Sequence, residues 1–319
     1  MKNIGEFDFI SSICKMFGAM PDNGFEGIGD DCAVLPIGGG ESLLFTSDML
    51  NEGVHFLADR STPYQVGYKS LMVNISDVAA MGAKPVATLL SLALPASRFG
   101  DWAAEFMKGY RDASAKFNVP LVGGDTTKSS SGISISVTAI GRASNSNLKR
   151  RSAARVGDDI LVTGTLGASA AGLRDLLNGI VDTPNAIFHL QPEAQVCEGE
   201  WLGSQSGVHA MMDVSDGIAA DLRHITEESV KGAVLYEKDI PISENATLAD
   251  AMGGGEDYKL LITADCNYTP NLMRNYKEKF GVPIYKIGRI VDSSEVLFER
   301  VDGSVCDLAL LGVGGFTHF

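Results

Sequence analysis

Positive charge is what this 319-residue chain is short of: 26 Lys and Arg stand against 40 Asp and Glu, a formal net charge of −14. A nucleic-acid backbone is repelled by that balance, and the one basic run, Lys149-Arg150-Arg151, is too short to reverse it. Cysteine is sparse and scattered. Cys14, Cys32, Cys197, Cys266 and Cys306 have no C-x-x-C spacing, which argues against a zinc or disulfide framework and fits reduced thiols in the cytoplasm. No apolar run is long enough to span a bilayer, and residues 1–6 lack an apolar leader core. A soluble, cytoplasmic protein with no membrane or nucleic-acid partner is therefore expected. Also absent are G-x-x-x-x-G-K-[ST], G-x-G-x-x-G heading a βαβ unit, H-E-x-x-H and G-x-S-x-G. The common phosphate-loop, zinc-peptidase and serine-hydrolase solutions are disfavoured.

What is present is apolar content, 45% of residues, and a length that suggests two domains. Helical spacing predicts helices over 6–17, 63–81, 102–117, 168–177, 192–202, 217–225 and 270–280. The second of these has Thr62 as its N-cap, Pro63 in its first turn, and Gly82 and Pro85 closing it. Strands are expected at 43–48, 86–94, 133–140, 160–163, 259–263, 285–291 and 296–300, with a short buried one at 119–122. Residues 144–155 are polar and basic without periodicity, and read as the junction between domains 1–145 and 146–319. Strands and helices alternate without a regular βαβ rhythm, so two α+β halves are expected rather than one Rossmann sheet.

Asp recurs at strand ends and helix starts. Gly29-Asp30-Asp31 places two carboxylates after a flexible glycine. Neighbouring side chains on a strand diverge, so the pair acts together only if the chain turns at Gly29. Thr46-Ser47-Asp48, Gly124-Asp125-Thr126-Thr127 and Asp213-Val214-Ser215-Asp216-Gly217 repeat the theme. Asp77 lies in mid-helix among Val73, Ile75, Val78 and Met81, where a charge needs a partner. Each Asp alone reads as a cap or turn. Together they read as hard oxygen ligands for a divalent cation such as Mg²⁺.

These stretches, with Gly53-Val54-His55-Phe56, Gly255-Glu256-Asp257-Tyr258 and the terminal Gly315-Phe316-Thr317-His318-Phe319, resemble the thiamine-monophosphate kinase family in sequence and order. That family belongs to the aminoimidazole-ribonucleotide synthetase-like superfamily. The resemblance covers essentially the whole chain. It implies a homodimer whose N-terminal sheets pair into a barrel, and a C-terminal α/β domain. The implied activity is ATP- and Mg²⁺-dependent phosphorylation of thiamine monophosphate to thiamine diphosphate. By motif position, Asp31, Thr46, Ser47, Asp48, Asp77, Asp125, Asp213 and Asp216 would hold Mg²⁺. Gly124, Asp125, Arg151 and Ser215 would meet the nucleotide, and His55, Glu256 and Phe316 the thiamine substrate. Asp48, Asp125 and Arg151 would serve the transfer itself. For Asp30 a ligand role and a structural hydrogen bond both stay open.

Donor and acceptor would both be phosphates, so screening of like charges outweighs covalent chemistry. An ionised phosphate acceptor needs no strong general base, and direct in-line transfer is expected. The nearest rivals are other enzymes of the superfamily. A selenophosphate synthetase would have a reactive Cys in an N-terminal Gly-rich loop, and a hydrogenase-maturation enzyme a C-terminal Cys; this chain has neither. A non-catalytic ion-binding protein is the rival of another class.

Overall fold

The computed structural model describes residues 6–17 and 23–312. The first half runs α1 (Glu6–Phe17), β1 (Ala33–Gly38), β2 (Glu41–Asn51), α2 (Pro63–Ala80), β3 (Lys84–Leu94), α3 (Asp101–Phe117), β4 (Leu121–Lys128) and β5 (Ser134–Ser144). Its five-stranded sheet has the order β1-β2-β5-β3-β4, antiparallel except for the parallel β3–β4 pair. In β5 every second residue is buried, as the Ile-Ser-Ile-Ser-Val alternation predicts for a sheet covered on one face. That cover is α2, which rests on β2, β3 and β5 with α3 beside it.

The second half comprises β6 (Asp159–Thr163), α4 (Ala168–Leu177), α5 (Pro184–Leu190), α6 (Val196–Gly203), β7 (Val208–Asp213), α7 (Ile218–Ser229), β8 (Gly232–Tyr236), α8 (Leu248–Gly253), β9 (Leu260–Ala264), α9 (Thr269–Phe280), β10 (Ile284–Val291), β11 (Val296–Glu299) and β12 (Val305–Asp307). Seven strands form one mixed sheet, β12-β11-β8-β10-β6-β9-β7. No helix among the described residues is long and apolar enough to cross a membrane.

Helix α2 starts where Thr62 and Gln65 close a reciprocal capping box, with Pro63 in the first turn. It is buried almost all round, because it packs on both halves of the molecule. One side joins the first core with Leu71, Ile75 and Val78. Its end, Ala80, belongs to a second-half cluster with Leu202, Leu260 and Tyr276.

Two expectations need correction. The strand expected as buried at 119–122 is β4, displaced to Leu121–Lys128 and exposed at every residue. It is the sheet's edge, bonded to β3 only, and its Leu-Val start gives no hint that cover is lacking. The helix expected from 192 begins at Val196. Before it, the Gln195 side chain accepts from Leu260 N at 3.3 Å and from the Thr163 hydroxyl, which ties this segment to β6 and β9.

Candidate functional site

Three carboxylates converge where α2 meets the second half. Asp31, Asp77 and Asp213 each offer an oxygen, and the three lie within 4.8 Å of one another. They come from the turn before β1, from mid-α2 and from the end of β7. The polar residues of α2 explain the convergence. Asn74 Oδ1 accepts from Asp48 N at 2.9 Å and fixes β2 against the helix. Asp77 accepts from the Thr46 hydroxyl at 2.5 Å. Ser76 donates to Asp213, reaching the other half of the chain.

Crowding buried carboxylates favours their protonated forms. Burial first, then Asp31, drives Asp213 up to about 8. Burial first, then Asp216 and Asp31, takes Asp48 up to about 6. Asp77 rises well above the usual range through burial and its neighbours Asp48, Asp213 and Asp31.

Asp30 and Asp31 do act together. Gly29 has φ +143°, so the chain turns there and both carboxylates address Arg151. Arg151 Nη2 donates to Asp31 Oδ1 at 2.6 Å, and the Arg151 backbone N–H reaches Asp30 at 3.3 Å. Burial and Asp31 still push Asp30 up to about 7. Arg151 is one cation among a surplus of anions. Among the described residues, Asp31 Oδ2 and Asp221 Oδ1 are buried with no hydrogen-bond partner. Such orphaned oxygens beside a carboxylate triad fit a hard divalent cation, since no described residue satisfies them.

Ser215 and Asp216 lie in the loop between β7 and α7, and Asp216 acts electrostatically on Asp48 and Asp221. Gly217 is required there: with φ +108°, a Cβ would stand 2.9 Å from the Gly253 backbone. The Ser215 carbonyl accepts from Glu256 N at 2.7 Å, so the two loops are bonded together.

Two expected ligands are placed apart. Ser47 leaves β2 on the opposite face from Asp48, and its hydroxyl lies 3.1 Å from that of Thr138. Asp125 sits on β4 in a register row with Ser91, Ser136 and Met49, on that same open face. Two strands separate it from β2. Gly124 beside it has φ +148°, and a Cβ would stand 1.8 Å from the Leu90 carbonyl oxygen. The close β3–β4 approach thus demands glycine whatever else Gly124 touches.

The residues expected to meet the thiamine substrate form a second cluster. His55 Nδ1 accepts from Asn51 N at 3.0 Å, closing the turn after β2. His55 lines a small cavity of about 10 Å³ with Phe56, Lys69 and His189. Glu256 Oε2 lies 2.7 Å from Lys69 Nζ and 3.4 Å from His189 Nδ1. Lys69, His189 and His55 hold its carboxyl below the usual range against the effect of burial. Phe316 lies outside the described residues.

Pattern reading missed Lys69, His189 and Asp221. Lys69 and Asp221 carried a usable signal, a charge on an apolar helical face. His189, in a helix that was not foreseen, carried none.

The comparisons with known proteins agree with this architecture. Residues 29–143 match the family model of the AIR synthase related protein N-terminal domain, and 155–299 that of its C-terminal domain. The class is therefore AIR synthase related. The thiamine-monophosphate kinase of Buchnera aphidicola (subspecies Acyrthosiphon pisum) is 38% identical over 98% of each chain. That of Escherichia coli K12 is 35% identical over 92% of this chain and 91% of its own. The solved structure of AaThiL complexed with AMPPCP and TMP has a TM-score of 0.84 and 32% identity, covering 100% of this chain and 98% of that one. The chain belongs to the thiamine-monophosphate kinase family and is an enzyme. Hydrogenase maturation protein HypE in complex with ATP, at 18% identity and TM-score 0.71, shares the fold alone.

Proposed function

We propose that this enzyme transfers the γ-phosphoryl group of ATP directly onto the phosphate of thiamine monophosphate, giving thiamine diphosphate in the cytoplasm. The observation that carries this reading is the meeting of Asp31, Asp77 and Asp213 with an orphaned Asp31 Oδ2, next to the His55–Glu256 cluster. The relatives support it by name, and AaThiL was solved with AMPPCP and TMP.

Asp31, Asp77, Asp213, Thr46, Asp48 and Asp216 would hold Mg²⁺, which supplies charge neutralisation between two phosphates. The other tasks fall to the chain. Arg151 neutralises Asp31 before loading and is a cation within reach of the transferring group. The loop of Ser215 borders the nucleotide side. Glu256 and His55 orient the acceptor, with Phe316 as an aromatic wall. An acceptor phosphate already ionised at neutral pH needs no base, and burial, then Lys69, pushes His189 down to about 4.

Asp125 and Ser47 would complete the site through a second copy. Among the described residues the β4 edge is unpaired and one face of the first sheet uncovered, which supports a homodimer whose sheets close into a barrel. Asp125 and Gly124 would then meet the nucleotide and metal held by the partner chain, with Ser47 on the same shared face.

The test is steady-state ADP formation with thiamine monophosphate or thiamine, with and without Mg²⁺. Turnover confined to thiamine monophosphate plus Mg²⁺ is expected. ATP hydrolysis indifferent to the acceptor would overturn the reading.

A further inference from the structure

Lys69 is an anomaly in α2. It is 3% exposed, deep among Val66, Leu71, Met72 and Val73, where an ammonium group is expensive unless paired. Its ion-pair partner is 187 residues away: Glu256 Oε2, at 2.7 Å, on the loop before β9. Lys69 and Ser76 are seven positions apart, hence on one face of α2, and both reach the second half of the molecule.

The segment around Glu256 is held against its own preference. Glu256 has φ +64° and Tyr258 φ +46°, left-handed conformations that are strained for a residue with a Cβ. The residue between them, Asp257, is fully buried and accepts from Gly167 N at 2.5 Å and Ser169 N at 3.1 Å. Glu256 N and Tyr258 N donate to Ser215 O and Val214 O. These bonds fix the backbone but leave the Glu256 side chain unspecified. Two groups specify it. Lys69 binds one oxygen, and His189 Nδ1 lies 3.4 Å from the same atom while facing the Ser169 hydroxyl at 2.8 Å. Lys69, His189 and His55 line one cavity, and the first two, from α2 and α5, hold this carboxylate on their far side.

We propose that Lys69 and His189 are positioning residues that fix the Glu256 carboxylate and so set affinity for the acceptor, leaving donor binding untouched. The inference rests on the thiamine-monophosphate reading of the site. It goes beyond it in assigning two residues that act through Glu256 across the contact between the two halves. Lys69 also counterbalances Glu256, so the acceptor's thiazolium meets a pre-set carboxylate of reduced net charge. Recognition then depends on where the carboxylate points more than on bulk negative charge.

The experiment is a double-mutant cycle on the full-length enzyme, reading KM for thiamine monophosphate and for ATP. Lys69→Met is expected to raise the acceptor KM about tenfold and change the ATP KM less than about twofold. In a Glu256→Gln background the same change should add less than about twofold, because its target is already gone. Lys69→Arg, which keeps the charge, should recover part of the loss. Additive effects, an equal rise in both KM values, or an unchanged acceptor KM would overturn the proposal. If Lys69→Met does not fold, His189→Gln carries the same cycle with the same two outcomes. A wild-type enzyme that ignores thiamine monophosphate removes the functional reading and this inference together. Wild-type turnover with uncoupled variants removes this inference alone.

Discussion

Asp48 and Ser47 are neighbours on β2, yet they enter surroundings built on different terms. Asp48 turns to the face covered by α2, where carboxylates from both halves of the chain are gathered and short of counterions. Ser47 turns to the open face, lined by Ser136, Thr138 and Ser91, with Asp125 at the far edge. The covered face has its carboxylates assembled within one chain. The open face has hydroxyls and a carboxylate in place but no cover among the described residues, and its edge strand is exposed throughout. One chain thus holds an assembled carboxylate cluster beside a face that the proposed homodimer would cover.

The largest effect should come from removing either carboxylate. Asp48→Asn and Asp125→Asn are each expected to lower kcat on the order of 10³-fold or more, with melting little changed in the presence of Mg²⁺. Near-normal turnover of Asp125→Asn in a steady-state assay would remove the open face from the site.

Mixing the two dead variants separates the faces. If each site takes Asp48 from one chain and Asp125 from the partner, a mixed dimer has one intact site of its two. Random exchange makes half the dimers mixed, so about a quarter of wild-type activity should return. If both carboxylates serve one site from the same chain, no mixed dimer has an intact site and nothing returns. The measurement is turnover after co-refolding equal amounts of the two.

The covered face was the more legible one in sequence. Asp77 in an apolar helix demanded a partner, and it has Thr46 and the triad. Thr62 as N-cap and Pro63 gave the start of α2, to which the structure adds Gln65 closing the capping box. The open face was hidden because Leu121 and Val122 read as buried strand, and burial of an edge depends on what lies beside it. Lys69 and Glu256 are 187 residues apart, and no local pattern joins them. The short helices α5 and α8 went unread although Thr183 and Thr247 cap them, since six or seven residues carry too little periodicity.

The smallest effect is on stability, and it again divides the faces. Burial holds the folded-state carboxyls of Asp48, Asp30 and Asp213 at about 6, 7 and 8, above the unfolded value near 3.8. Between those limits the folded chain binds more protons than the unfolded one. Its stability is therefore greatest at the acid end and falls as pH rises through 6 to 8. Metal-free protein should melt several degrees lower at pH 8.5 than at pH 5.5, measured calorimetrically. Mg²⁺ favours the charged forms, so adding it should flatten this slope and raise melting most at pH 8.5. Asp213→Asn removes one of the crowded carboxyls and should lessen the metal-free slope. Ser47→Ala, on the open face, removes no carboxyl and should leave it as it is. A slope that responds equally to both substitutions would mean that the two faces do not differ in the way their burial implies.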